Sequence, residues 1–212
     1  MPQIKDSLYE QLNPLTTVAG QHFVEDFSGD TLDTFRWNDT TSGSASVSMS
    51  DSVDGGVLVD ASATNGGQAT INFNLLAPFD YSSSSIIYVA KFNEIDTNAF
   101  ETYAGLGTIN TIGGGSGAFT YKTGTGNTNW QLATTGGSWT FTPSSITADN
   151  SRHVFQHILS ATNVILKIDG VVAVVNTTNL PATKLQPVLG LNTSSDNSKT
   201  MNITYCEAWN IA

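Results

Sequence analysis

The feature that most constrains this chain is a succession of short β-type segments from His22 almost to the C-terminus. Segments rich in Val, Ile, Thr, Phe, Tyr and Trp alternate with clusters of Gly, Ser, Asn and Asp. Ile71 and Phe73 alternate with Asn72 and Asn74, which is the period-two pattern of a half-buried strand. No long helical pattern interrupts the series. The sequence therefore predicts an all-β fold.

About fourteen strands are predicted in this way. They cover residues 22–27, 44–50, 56–61, 68–74, 85–92, 100–109, 117–123, 128–134, 138–141, 152–160, 163–169, 171–176, 184–191 and 199–210. A hairpin turn is predicted at Asp169-Gly170, because a two-residue turn between apolar runs needs positive φ, which Gly accepts without steric cost. Many short strands without a long helix predict two packed antiparallel sheets.

The first twenty residues differ from the rest of the chain. Leu8, Leu12 and Leu15 form a weak helical pattern that Pro14 interrupts. We therefore divide the chain into an N-terminal arm, residues 1–20, and one β domain, residues 21–212. An arm of this kind is expected to be held by a neighbouring subunit or a larger particle, which favours a homo-oligomer such as a trimer.

Charge and cysteine content exclude several classes of function. The chain carries 8 Lys and Arg against 18 Asp and Glu, a net charge of −10, which disfavours binding to nucleic acid and to anionic membranes. Cys206 is the single cysteine, so no internal disulfide forms, and we expect it to be a buried apolar residue. The first residues lack the pattern of a secretory signal, which favours synthesis in a cytoplasm. No cofactor-binding motif is predicted.

Three segments resemble the concanavalin A-like lectin and glucanase superfamily, which includes laminin-G-like and laminarinase-like domains. They are residues 25–37 (EDFSGDTLDTFRW), the pair 152–158 and 164–173, and residues 201–209 (MNITYCEAW). The resemblance implies a two-sheet antiparallel jelly-roll β-sandwich in which the first and last strands pair. Phe27, Trp37 and Trp209 are then expected in the core. The superfamily contains lectins, hydrolases, adhesion modules and virion proteins, so it does not decide the function.

One motif resembles the catalytic strand of laminarinase-like enzymes. Glu94 and Asp96 have the spacing of that motif, but Asn98 stands where the acid/base carboxylate is expected, and its amide cannot donate a proton on demand. Glu101 lies too far along the chain to replace it. The Asn-rich composition also places this motif in a loop. We therefore predict no catalytic residue and no enzymatic activity.

Two arrangements suggest a metal ion. His153 and His157 are four residues apart, which on a strand separates the two rings by roughly 13 Å, too far for one ion. Many members of the superfamily bind calcium between an acidic residue of the first strand and an Asp of the last. Glu25 matches the first, but Thr204 stands at the second position and is a weaker ligand. No metal site is predicted.

Aromatic side chains remain as possible sugar platforms. Tyr121, Asn129 and Trp130 lie on neighbouring predicted strands and are our candidate glycan contacts, because aromatic rings stack on sugars and amides bind hydroxyl groups. The alternative is that strand alternation places these rings between the two sheets.

The sequence therefore favours a non-enzymatic virion structural protein, a capsid decoration or fibre protein. Its lectin-like domain would face outward towards surface glycans, and residues 1–20 would anchor it. The alternative is a carbohydrate-binding module or degenerate glycoside hydrolase that acts on polysaccharide, in which case an extracellular location is expected.

Overall fold

The computed structural model describes residues 21–51, 55–62, 66–74, 77–93, 100–108, 115–123, 128–193 and 199–211. These residues form fifteen strands and no helix, so none of them lies in a helix that could cross a membrane. The strands build two antiparallel sheets that pack face to face. The predicted all-β jelly-roll sandwich is confirmed.

The strands are numbered in chain order. They are β1 (His22–Glu25), β2 (Asn38–Ser42), β3 (Ser46–Met49), β4 (Val57–Asp60), β5 (Gln68–Asn72), β6 (Ser83–Phe92), β7 (Phe100–Gly107), β8 (Gly117–Tyr121), β9 (Asn129–Thr135), β10 (Trp139–Thr147), β11 (Arg152–Ser160), β12 (Val164–Ile168), β13 (Val171–Asn176), β14 (Gln186–Thr193) and β15 (Thr200–Asn210). Sheet 1 has the order β13-β12-β11-β6-β15-β4-β3, with β1 also paired to β15. Sheet 2 has the order β10-β9-β8-β7-β14-β5-β2.

Most predicted strands agree with observed ones to within a few residues. The exceptions are β2, which has no predicted counterpart, and β10, which is longer than predicted. β2 was not predicted, because its sequence NDTTS has no apolar alternation. It is an edge strand that pairs in register with β5, from Asn38 opposite Asn72 to Ser42 opposite Gln68. β10 runs to Thr147, well beyond the predicted end, and its register with β9 shifts between Pro143 and Thr147.

The first and last strands lie side by side, as the sequence resemblance implied. His22 is opposite Trp209 and Glu25 is opposite Cys206. Cys206 is fully buried, and this burial raises the pKa of its thiol. Since Cys206 faces the core, alternation along β15 turns Trp209 to the outer face of sheet 1. The expectation that Trp209 is a core residue is therefore wrong.

Trp37 is a core residue, as expected. Its side chain is 1% exposed and packs against the rings of Phe23, Phe27 and Phe73, with centroid distances of 5.5, 5.4 and 6.0 Å. The cluster closes the sandwich beneath β1, because Phe23 faces inward from that strand. The predicted hairpin is also confirmed, with φ of 51° at Asp169 and 80° at Gly170.

A buried polar bridge joins the two sheets through the core. His157 of β11 is fully buried; its Nδ1 donates to the Ala118 carbonyl at 3.0 Å, and its Nε2 accepts from Thr120 Oγ1 at 2.8 Å. The Tyr88 hydroxyl donates to the Ala104 carbonyl at 3.1 Å. These bonds connect strands of sheet 1 to β7 and β8 of sheet 2. Because buried polar groups need partners, they fix one relative position of the sheets.

We predict that acid weakens the fold through His157. Burial lowers the pKa of His157 from 6.5 to about 4, so between these values the unfolded chain binds a proton that the folded chain does not. The free energy of unfolding should therefore fall as the pH falls through this window, by about 2 kcal/mol near pH 5. Urea unfolding at about pH 7.5 and about pH 5 measures the change.

His157→Gln should remove this part of the pH dependence. His153 on the same strand provides a control of opposite sign. Burial alone would lower its pKa, but hydrogen bonds from His153 to Asp169 and Asp149 raise it. The stability that His153 contributes is present below its unfolded pKa and is lost as the pH rises through its folded value, so His153→Gln should enlarge the loss in acid. An unchanged pH dependence in His157→Gln would contradict the prediction.

Candidate functional site

The outer face of sheet 2 carries a carboxylate among aromatic rings. Ala104 and Leu106 of β7 and Ala118 of β8 belong to the main core, so the residues that alternate with them point outward. On β7 these include Glu101 and Tyr103. On β8 they are Phe119 and Tyr121, and on β10 they are Trp139 and Phe141. The register places Phe119 opposite Ala133 of β9, which in turn is opposite Phe141.

Glu101 is held by three hydrogen-bond donors. Its Oε1 accepts from the Tyr121 hydroxyl at 3.2 Å. Its Oε2 accepts from the Tyr103 hydroxyl at 3.4 Å and from Asn192 Nδ2 at 3.2 Å. Burial, and after it the charge of Glu101, raises the pKa of Tyr121 to about 12 and raises the pKa of Tyr103 further. Both phenols therefore remain protonated donors at any physiological pH.

The rings around this carboxylate form a hydrophobic cluster that is separate from the main core. Its buried members are Tyr103, Phe119, Tyr121, Ala133 and Val188, and Trp139 packs against them. The Phe141 ring is stacked on Trp139 at 5.7 Å with an interplanar angle of 8°, and it lies 4.5 Å from Tyr121. Phe141 is 42% exposed, so this edge of the cluster presents an aromatic surface to solvent.

Two glycines make room for the cluster. A Cβ atom at Gly107 or Gly117 would lie 2.4 Å from atoms of the Phe119 ring. No side chain other than hydrogen fits at these positions while the ring stays where it is. The ring is therefore seated directly against the backbone of β7 and β8.

Two buried side-chain amides lie on the other half of the same face of sheet 2. Asn72 of β5 lies opposite Val188 of β14, and both of its side-chain polar atoms are buried without a hydrogen-bond partner. Gln186 Oε1 on β14 is also buried and unpartnered. Leaving such groups unpaired costs about 1–3 kcal/mol each. Asn72 is 0% exposed and Gln186 is 2% exposed, so neither amide is open to a ligand in this structure.

The structure separates the three residues predicted as glycan contacts. Tyr121 lies in the cluster described above. Asn129 of β9 is on the same face, and its Nδ2 donates to the Ser144 carbonyl at 2.8 Å. Trp130 must be corrected: its side chain is fully buried between the sheets, against Phe92 and Phe155, because β9 alternation points it inward. It offers no surface to a glycan, whereas the roles of Tyr121 and Asn129 remain predictions.

Sequence reasoning missed Glu101. It was set aside as too distant from the motif at Glu94 and Asp96, which, like Asn98, lies outside the described residues. The available signal was the alternation of Glu101 and Tyr103 with Thr102 and Ala104 inside a predicted strand. That pattern places the carboxylate and the phenol on one face, although it does not reveal Tyr121 beside them.

The residues considered for a metal ion have protein partners instead. His153 bonds Asp169 at 2.7 Å and Asp149 at 3.1 Å, whereas His157 is held in the core. No group of three or more His, Cys, Asp or Glu side chains in the described part of the chain is arranged to hold a metal.

The calcium site suggested by the superfamily does not fit this chain. Glu25 accepts hydrogen bonds from the Phe27 amide and the Trp37 indole, and it lies 3.7 Å from the Arg36 guanidinium. Thr204 Oγ1 accepts from Arg152 at 2.8 Å. A guanidinium near each position disfavours a second cation there.

Comparison with known proteins identifies the fold. No protein-family model and no curated protein match the chain. Among solved structures, the Crh5 transglycosylase in complex with NAG matches with a TM-score of 0.63 and 16% identity over 90% of this chain and 84% of that one. LamAcat from Zobellia galactanivorans matches with a TM-score of 0.64 and 12% identity over 89% of this chain and 96% of that one.

A third neighbour is described as an immunostimulatory antigen and pseudo β-1,3-glucanase of Mycobacterium tuberculosis. It matches with a TM-score of 0.62 and 12% identity over 90% of this chain and 98% of that chain. At these identities the likeness shows the fold alone. The neighbours are glycosyl hydrolase-like jelly-roll sandwiches of the concanavalin A-like superfamily.

These comparisons overturn two expectations. A non-enzymatic virion structural protein is contradicted, because the neighbours include a transglycosylase and a glycosyl hydrolase family protein. The expectation that the chain is not an enzyme is contradicted on the same ground. It rested on Asn98 in place of a carboxylate and on the distance of Glu101 along the chain from that motif. The carbohydrate-related alternative fits better. The arm, the oligomeric state and the cellular location are not tested and stay predictions.

We predict that Tyr121 and Glu101 stabilise the fold as a coupled pair. Tyr121→Phe and Glu101→Gln should each lower the free energy of unfolding, and the double variant should lose less than the sum of the two. The coupling should be about 1–3 kcal/mol, since the acceptor is a carboxylate. Urea unfolding of the four proteins in the cycle measures it, and Tyr81→Phe, a change at the protein surface, is the matched control. Strict additivity would show that the pair is not coupled.

Proposed function

We propose that this protein binds a polysaccharide chain along the outer face of sheet 2. The observation that carries the proposal is the Glu101 carboxylate, fixed by Tyr103, Tyr121 and Asn192 beside the exposed Phe141 ring. Sugars present hydroxyl groups at their edges and C–H groups on their ring faces. A carboxylate with amides binds the first, and an aromatic ring packs against the second.

The neighbours support a carbohydrate ligand. One is described as bound to NAG, another as a pseudo β-1,3-glucanase, and others as an endo-β-galactosidase and as endo-acting O-glycanases in mucin breakdown. The shared fold does not identify which of these glycans the present chain binds. Within the described residues, the Glu101 cluster on sheet 2 combines a carboxylate, amides and an exposed aromatic ring.

Cleavage of the bound chain is a second candidate, favoured by the enzymes among the neighbours. Glycoside hydrolysis generally needs two carboxyl groups, about 5–5.5 Å apart for retention or about 6.5–9.5 Å for inversion. The described strands of sheet 2 carry two carboxylates: Glu101 on the outer face, and Asp39 of β2, which lies opposite the core residue Ile71 and therefore points to the other face. A second carboxyl would have to come from elsewhere in the chain, and Glu94 and Asp96 are the nearest in sequence.

We predict that Phe141→Ala and Glu101→Gln each weaken polysaccharide binding about tenfold or more, because each removes one direct contact worth about 1.4 kcal/mol. Affinity electrophoresis against soluble β-1,3-glucan, galactan and mucin O-glycans, followed by calorimetry on the best ligand, measures the loss. Val154→Ala is the matched control, because Val154 is 40% exposed on β11 and alternates with the core residue Phe155, which places it on the outer face of sheet 1. Equal losses in all three variants would contradict the proposed site.

The wild-type protein and the Glu101→Gln variant also distinguish binding from cleavage. If the chain cleaves its ligand, we predict that release of reducing ends falls about 100-fold or more in Glu101→Gln, the usual cost of losing a catalytic carboxyl. Glu94→Gln and Asp96→Asn identify the second carboxyl. Binding without release supports the binding role alone. Failure to bind any of the polysaccharides, together with no release, would overturn the proposed function.

A further inference from the structure

We further propose that the polysaccharide bound on sheet 2 is uncharged, carrying neither sulfate nor uronic acid groups. This inference rests on the proposed function and concerns the same site. On the outward strand positions described for sheet 2, the one formal charge is the negative charge of Glu101. The rings and amides around it are neutral: Tyr103, Tyr121, Asn192 and Phe141.

The basic residues of the described chain are used elsewhere. Arg36 pairs with Glu25 and Asp33, and Arg152 donates to Thr204 and Asn202, so both guanidinium groups are committed to protein partners. Lys91 and Lys167 lie on β6 and β12 of sheet 1. Arg36 lies between β1 and β2, and Arg152 begins β11 of sheet 1, so none of these four lies on a strand of sheet 2.

The other three described lysines do not supply a cation to the site either. Lys122 follows β8 but is 3% exposed, and its Nζ donates to the Thr123 carbonyl at 2.7 Å. Lys199 is fully buried just before β15. Lys184 precedes β14, at the opposite end of that strand from Asn192 and Glu101. There the Ser82 hydrogen bonds, and after them the charge of Lys184, lower the pKa of Asp80.

The segments outside the described residues contain more acidic than basic residues. By sequence they contain a single basic residue, Lys5, in the first twenty positions. They also contain six acids, which are Asp6, Glu10, Asp54, Glu94, Asp96 and Asp196. By sequence, the segments that adjoin Phe100, Thr123 and Thr193, which are residues 94–99, 124–127 and 194–198, contain three of these acids and no base.

The negative charge at Glu101 favours a neutral glycan over an anionic one. Sulfate and carboxylate groups on glycans are bound by Arg or Lys, which offer charge-assisted hydrogen bonds. Near Glu101 such an anion would meet a fixed like charge in a partly buried setting, where repulsion is weakly screened. A neutral hydroxyl, in contrast, can donate to Glu101 and accept from the amides of the face. The net charge of −10 adds repulsion at long range.

The test uses matched pairs of polysaccharides that differ only in charge. Soluble β-1,3-glucan, dextran and galactan are each compared with a sulfated derivative of the same backbone and chain length, by calorimetry on the full chain at low and high salt. We expect the neutral member of whichever pair binds to bind about tenfold or more tightly at low salt. Added salt should narrow this ratio by screening the repulsion.

Two variants with the same change in net charge locate the effect. Glu101→Gln should bring the neutral and sulfated affinities closer together. Glu207→Gln, on the outer face of sheet 1, should leave their ratio unchanged. A sulfated chain that binds as well as or better than its neutral partner would overturn this inference while the proposed function stands. Absence of binding to every member would overturn the proposed function itself.

Discussion

The structure depends on the contact between the inward faces of its two sheets. That contact buries the apolar half of each strand and, because side chains alternate, leaves the other half outside. On β8, Ala118 belongs to the main core, whereas Phe119 belongs to the outer cluster. On β9, Trp130 is inside and Gln131 lies on the other face. The candidate site is thus a product of how the core is packed.

The polar bridge through the core links packing to the site. Thr120 lies between Phe119 and Tyr121, and its hydroxyl bonds His157 of the opposite sheet. A slip of β8 by one residue would break this bond and also turn Tyr121 away from Glu101. The buried histidine therefore fixes the register on which the outer cluster depends. Because burial lowers the pKa of His157, the same residue is expected to lower the stability of the fold in acid.

The sequence was sufficient for the fold class and insufficient for much of the site. Period-two alternation predicted the strands and the Asp169-Gly170 hairpin, because both signals are local. β2 was missed, since its polar residues become a strand only by pairing with β5. Alternation also shows that two faces exist without showing which one is buried. This is why Trp130 was a candidate contact and Trp209 a core residue, and the structure reverses both.

Glu101 illustrates the remaining difficulty. Distance along the chain separated it from the motif at Glu94, whereas sheet register places it beside Tyr121, twenty residues away in sequence. The fold is shared by enzymes and by a described pseudo-glucanase, so it cannot decide between cleavage and binding. The distinction between cleavage and binding depends on the residues of the site. Both oxygens of Glu101 already accept hydrogen bonds from phenols or an amide. A carboxylate held in this way is suited to accept further bonds from sugar hydroxyls.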